Sequence, residues 1–540
     1  MSISARAKTS DPRRPGSSDR NRSRLPPHPV AVGALTALVA AGYTVFALAQ
    51  YYTFRTTSYD LVIFDETVRS YAHFQPGTSI IKGLHNGFGP HFSELGDHWS
   101  PILAALAPLY WIYSSPVTLL VAQAVLFALA IPPLWLFTRR AFGGGSTAVA
   151  AAYLVSVAYA LSWPVASALG FDFHEVAFVP VLTAVALERL QAGKLRTALI
   201  ALAALLLVKE DMGFFVAGIG VYLAVARPRL VPRQLLVAGI LIAGGIADTV
   251  LATYVLIPAF GGRSDYYWAY TALGSNAPQA IGHLITHPGS LRLLITPRVK
   301  LDTMLWLFGA FCFLPLLSPI SLATVPLLLE RMLANLFPYW WGTPDQYNAY
   351  LVIVLACAAV DGAARLDRLL ARRRGTGDGE RSAWSLGSGT VALGCSAAMC
   401  AVAVFLIPTF AFGQALQPSF YRRDAQAQAA AAAAAAVPSG VVVEATNFIG
   451  PALSARDTVL LWDGDGGTPP LGSPWVVANV NQVQFTWYSL REQRQRVAFL
   501  ESHGYHVVFR RDGYLVLHRS GPPRIGASVK PPPAPKEAVG

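Results

Sequence analysis

Charge is what this chain has least of. Only 13% of its 540 residues are Asp, Glu, Lys or Arg, while 54% are hydrophobic and the mean hydropathy is +0.43. A soluble domain carries about twice that charge density, so an ordinary soluble enzyme is excluded. Cysteine is scarcer still. Cys312, Cys357, Cys395 and Cys400 all fall inside apolar runs without zinc-ligand spacing, which leaves neither a disulfide framework nor a zinc site. Lysine is rare too: seven residues against 35 arginines (42 basic residues minus seven), the bias of a high-GC bacterial genome. There is no GxGxxG, no P-loop and no Gly-x-Ser-x-Gly. The formal net charge of +12 resides in N-terminal arginines and short Arg-rich loops, a positive-inside pattern that excludes nucleic acid as the partner.

What remains is apolar sequence cut into runs. At roughly 20 residues per span, the chain has room for about ten spans and one modest soluble domain. Arg13, Arg14, Arg20, Arg22 and Arg24 place the N-terminus in the cytoplasm, and residues 30–52 are long enough for a retained signal anchor. Later runs, among them a short pair over 303–317 and 319–329 and a descending run over 350–360, step between Arg139-Arg140, the arginines of 227–233 and those of 365–374, giving about eleven spans and an external C-terminus. Residues 101–113 read as a re-entrant or interfacial helix. The expected organisation is a disordered basic tail over 1–29 and a transmembrane domain over 30–412 with long outer loops 53–100 and 258–302. An Ala-rich linker over 413–436, a soluble extracytoplasmic domain over 437–520 and a disordered tail over 521–540 follow. In that domain 441–443, 459–462 and 475–480 read as strands and 491–503 as a helix. Residues 505–509 and 514–517 read as a hairpin around Arg511-Asp512-Gly513. The fold class is an α-helical polytopic protein of a bacterial plasma membrane, set among membrane lipids, with a small C-terminal α/β domain.

This topology places every acid and histidine cluster on the external side. Asp65, His98, Asp172, His174, Glu175, the triplet Lys209-Glu210-Asp211 and Glu330-Arg331 all lie at the ends of apolar runs. Ionisable groups at a membrane edge are expensive, so one-sided clustering points to a site. Asp65 has the chemistry of a general base. Asp172, His174 and Glu175, three ionisable groups within four residues, are candidate ligands for a divalent metal cation. Lys209 and Arg331 are candidate phosphate clamps, with His98, Glu210 and Asp211 as further substrate contacts. Each also has a plainer reading as a helix cap, a polar turn or a self-satisfied ion pair.

Four motifs together resemble a family. Tyr59-Asp60-Leu61-Val62-Ile63-Phe64-Asp65-Glu66, His98-Trp99-Ser100-Pro101, Asp172-Phe173-His174-Glu175 and Lys209-Glu210-Asp211 match, in order and spacing, the membrane proteins grouped as domain of unknown function 2079. Their architecture is similar to that of the C-type (GT-C) glycosyltransferases. The resemblance implies a catalytic acid in the first external loop, where Asp65 stands, a polyprenyl-phosphate-linked sugar donor and a soluble external domain. One departure is Gln346-Tyr347-Asn348, where a His-Tyr pair is expected. The expected function is a glycosyltransferase-like enzyme at the outer face of the plasma membrane. A membrane transporter, or a non-catalytic scaffold whose external domain binds a partner, is the alternative. Spans nearly free of charge, Asp248 excepted, count against a transporter.

Overall fold

The computed structural model describes residues 28–227, 229–374, 389–464 and 472–524. Almost all of the basic tail expected over 1–29, most of the tail over 521–540 and much of the Arg-rich stretch after 370 lie outside the described residues. Among the described residues the chain is mainly helical, with one five-stranded sheet near the C-terminus.

Among the described residues, six helices are long and apolar enough to cross a membrane: His28–Tyr52, Pro116–Ala141, Ser146–Gly170, Gln234–Ala259, Ala349–Leu370 and Thr390–Thr409. Leu195–Leu205 and Met212–Val225 are apolar but shorter. The two short spans expected over 303–317 and 319–329 take a different form. Helix Arg298–Gly309 ends, two 3-10 turns follow (Leu314–Leu317 and Pro319–Thr324), and Val325–Leu333 resumes the helix. Pro315 and Pro319 lack the amide donors a continuous ladder needs. The run expected over 350–360 instead extends as Ala349–Arg374. An Asp361–Arg365 pair at 2.7 Å, one turn apart, supports its polar continuation.

The first dozen residues of that helix, 349–360, are buried all round, which makes it the axle of the bundle. Met212–Val225 and Gln234–Ala259 cross where Gly213 faces Gly245. A Cβ on Gly245 would lie 2.2 Å from the Gly213 carbonyl oxygen, so the backbones meet only because both residues are glycine. At the arginine-bearing ends, Arg140 pairs with Glu188 at 2.7 Å and Arg189 pairs with the same carboxylate.

The sheet has the order β2-β1-β3-β5-β4, with β1 Val442–Ala445, β2 Thr458–Leu461, β3 Trp475–Asn479, β4 His506–Arg511 and β5 Tyr514–His518. The first three strands are parallel, and the terminal hairpin adds antiparallel. Helix Leu490–Ser502 starts at Ser489, whose hydroxyl accepts from the Glu492 amide, and buries Val497 and Leu500 against one face. The other face takes helix Ala425–Ala435, whose Ala429, Ala430 and Ala433 pack with Val443, Ala445 and Val516. The Ala-rich segment expected as a linker is therefore part of the sheet's packing, its methyl groups small enough for close approach. Val62, Ile63 and Ile81 join the same cluster, so the sheet shares a core with the first long loop.

Candidate functional site

A cavity of about 930 Å³ lies where the first long loop, the loop after Gln234–Ala259 and the sheet meet the bundle. Its wall is built from the chain outward, beginning at Thr57. The Asp172 carboxylate accepts from the Thr57 amide at 2.9 Å and from the Thr57 hydroxyl. The Asn447 carbonyl accepts from Ser58, and its side chain accepts from the Tyr59 amide at 2.9 Å. Held from both sides, the chain passes through Asp60 at φ 116°, a conformation that costs an L residue on the order of 1–3 kcal/mol. Asp60 lines the cavity with 27% of its side chain exposed, 3.5 Å from His174 Nε2.

Helix Ile80–His85, capped by Ser79, delivers Lys82. Its ammonium lies 2.8 Å from Asp97 and donates to the hydroxyls of Tyr59 at 3.3 Å and Tyr267 at 3.1 Å. The rings of Tyr59, Tyr266 and Tyr267 lie 5.4–5.8 Å from it, within cation–π reach. Burial alone would raise the Asp97 carboxyl, but Lys82 and then His98 outweigh it and hold it below its usual value. His98 Nδ1 meets Glu210 at 2.8 Å, and the Trp99 amide donates to the same carboxylate at 3.1 Å. Against the pull of burial, the His98 charge lowers Glu210 to about 2. Asp211 is pushed up to about 7 by burial, with Lys209 opposing and Glu210 adding.

Lys209 is matched to Glu175 at 3.1 Å, both buried. Arg331 differs. Its Nε donates to the Trp340 carbonyl at 2.7 Å and one terminal nitrogen to Asn348 at 3.0 Å, while Nη1 is buried without a partner. A buried guanidinium with a spare N–H is a ready site for an oxyanion. The remaining wall is apolar, with Val250, Ile257, Ile281, Leu284 and Leu329 among its residues.

Of the residues expected from sequence, His98, His174, Glu175, Lys209, Glu210, Asp211 and Arg331 line this one cavity. Asp65 and Asp172 do not line it. Asp65 is fully buried behind the wall, accepting from Arg69 at 2.6 Å and Tyr110 at 2.7 Å, so it is not placed to act as base on a ligand in the cavity. The candidate metal set does not converge: Asp172 holds Thr57, His174 faces Asp60 and Glu175 faces Lys209. Among the described residues no group of three His, Cys, Asp or Glu side chains has metal-holding geometry, so these residues do not fit a divalent cation.

Asp60, Lys82, Glu94 and Asp97 also line the cavity and were missed. Asp60 stands inside the first motif, five positions before Asp65. Lys82 carried a usable signal: in a chain with 35 arginines, a lysine within an aromatic loop is an exception.

The family description "predicted membrane protein (DUF2079)" matches residues 50–516. The chain belongs to this family. No curated protein matches it. Among solved structures, the chain is similar to ArnT from Cupriavidus metallidurans, crystallised bound to undecaprenyl phosphate. The identity is 12%, the coverage 91% of this chain and 97% of that one, and the TM-score 0.44, a likeness too loose to bear on mechanism.

Proposed function

We propose that this family member is a GT-C-like glycosyltransferase, taking a sugar from a polyprenyl phosphate at the outer face of a bacterial plasma membrane. The observation that carries this reading is the pairing, in one cavity, of a strained carboxylate, Asp60, with the buried spare N–H of Arg331 beside an apolar wall. An anionic lipid headgroup needs such a cation, its chain needs such a wall, and an acceptor hydroxyl needs a base.

In this reading the acceptor oxygen forms a bond to the anomeric carbon as the bond from that carbon to the phosphate oxygen breaks. The electron pair leaves with the polyprenyl phosphate, whose charge the spare N–H of Arg331 stabilises. The acceptor proton goes to Asp60, and His174 at 3.5 Å orients that carboxylate. Lys209, spent on Glu175, shapes the wall. An eleven-pass topology with the C-terminal domain outside is part of the proposal, with Phe178–Gln191, Leu195–Leu205, Met212–Val225, Arg298–Gly309 and Val325–Leu333 counted as short passes beside the six long helices.

The test is release of undecaprenyl phosphate from undecaprenyl-phosphate-linked sugars by the purified full chain, with envelope glycan as acceptor. Asp60→Asn is expected to slow turnover by about 10²–10⁴-fold. Turnover by that variant at the wild-type rate overturns the assignment.

A further inference from the structure

Two segments far apart in sequence reach the cavity and take no part in the transfer chemistry above. The first is the turn before helix Ala349–Arg374. Asp345 holds φ 66°, and Gln346, 4% exposed, lines the cavity with an Oε1 that meets no hydrogen-bond partner. A buried amide oxygen left bare keeps its full desolvation cost, so the site calls for a donor from a ligand.

The second segment follows β3. Thr486 holds φ 74°, rare for a β-branched residue. Its hydroxyl oxygen accepts from the Gly464 amide at 3.0 Å, and Trp487 Nε1 donates to the Trp462 carbonyl at 3.0 Å, which fixes the turn. The turn carries Phe485 out of the sheet domain into the cavity lining, 45% exposed, its ring 5.3 Å from that of Tyr59. Tyr59 adjoins Asp60, and Asp345 and Gln346 line the same cavity as Asp60, so both segments border the space this carboxylate opens onto.

The sheet's topology agrees. Asn447 after β1 accepts from the Tyr59 amide, Asp463 after β2 meets His85 at 2.8 Å, and Phe485 comes after β3. The carboxyl ends of three parallel strands thus face the cavity, at the point where strand order doubles back over β1. In open parallel sheets ligands bind at that crevice. An aromatic face, an amide and a carboxylate around one space suit a sugar ring. Its C–H face lies on the aromatic, and its hydroxyls donate to the oxygens.

We propose that Asp345, Gln346 and Phe485 form a seat for a saccharide ring, which makes the sheet domain part of the binding site. The proposal rests on the transferase reading and deepens it. The ring belongs to the lipid-linked donor or to the acceptor, and the chemistry of recognition is shared.

The experiment uses the full chain in nanodiscs, as wild type, Phe485→Ala, Phe485→Tyr and Gln346→Leu. Each is titrated with undecaprenyl phosphate, undecaprenyl phosphate-glucose and a panel of methyl glycosides. Phe485→Ala and Gln346→Leu are expected to bind undecaprenyl phosphate as wild type does and to lose at least about tenfold in affinity for a sugar-bearing probe, roughly the worth of one buried hydrogen bond or stacked ring. Phe485→Tyr, which keeps the aromatic face, is expected to retain that affinity. Loss confined to the lipid-linked sugar assigns the seat to the donor, and loss with free glycosides assigns it to the acceptor. Unchanged affinity of both variants for every sugar-bearing probe overturns the seat, as does a wild type that binds no such probe better than its sugar-free counterpart. Phe485-dependent glycoside binding without any binding of undecaprenyl phosphate keeps the seat and removes the lipid-donor reading.

Discussion

Asp65 accepts from Arg69 and Tyr110 with none of its side chain exposed, whereas Asp60, five residues earlier, lines the cavity with 27% of its side chain open and a strained backbone. The two acids sit on one short segment and differ in whether their bonding is complete. Behind the wall Asp65 is matched to Arg69 and Tyr110, and in the bundle Arg140 is matched to Glu188. Along the cavity, matching stops short. Arg331 Nη1, Gln346 Oε1, and one oxygen each of Glu94 and Glu175 are buried without partners. Buried polar groups are bonded in the great majority of proteins, and those left bare on this cavity, a guanidinium N–H and an amide oxygen among them, are groups that a ligand can complete.

The largest expected effect tests the sealed side. Asp65→Ala leaves Arg69 without its carboxylate and the buried Tyr110 hydroxyl without its acceptor. A loss of about 3 kcal/mol in stability is expected, at the low end for broken buried pairs because Arg69 is partly exposed. Thermal unfolding of the detergent-purified protein measures it. An Asp65→Ala variant as stable as wild type would place Asp65 among the dispensable acids. The next effect is smaller and of opposite sign. Asp60→Gly relieves φ 116° and is expected to raise stability by about 1 kcal/mol while abolishing turnover. A variant both less stable and still active would erase the contrast between the two acids.

Most helix positions could be read from the chain because long apolar runs permit little else, and the strands because β-branched runs end at clear turns. The 3-10 turns after Arg298–Gly309 could not, since Pro315 and Pro319 signal a break without saying what replaces it. The alanine segment misled for a related reason: alanine's helix propensity is plain in sequence, but whether its methyl groups meet water or a sheet is decided by tertiary contact. At the site, sequence located the segments and misjudged the side chains within them. Asp60 and Asp65 share a motif, and only the anchoring of Ser58 and Tyr59 by Asn447, 388 positions from Tyr59, turns one toward the cavity and leaves the other behind it. No local pattern carries that information. Gln346 is the converse case, a departure from the expected His-Tyr pair that lines the cavity all the same.

Asp172 lies between the two classes, and its effect is read as a slope with pH. It is 3% exposed, and one of its oxygens takes both bonds from Thr57 while the other has no partner. Burial first, with the nearby Asp60 charge adding and the Thr57 bonds opposing, raises its carboxyl from 3.8 to about 7. The folded state therefore holds this proton more tightly than the unfolded chain. Between the unfolded value near 4 and the folded value near 7, the native form binds more protons, so stability falls as pH rises through that window and levels off above it. One proton's difference is worth at most about 1.4 kcal/mol per pH unit. Asp172→Asn keeps an acceptor for both Thr57 bonds and removes the titration. Its stability is expected to vary less between pH 5 and 7 than wild type's, nearly matching it at pH 5 and exceeding it at pH 8, as thermal unfolding at each pH measures. An Asn variant with the wild-type slope would show that the Asp172 proton is not held by the fold.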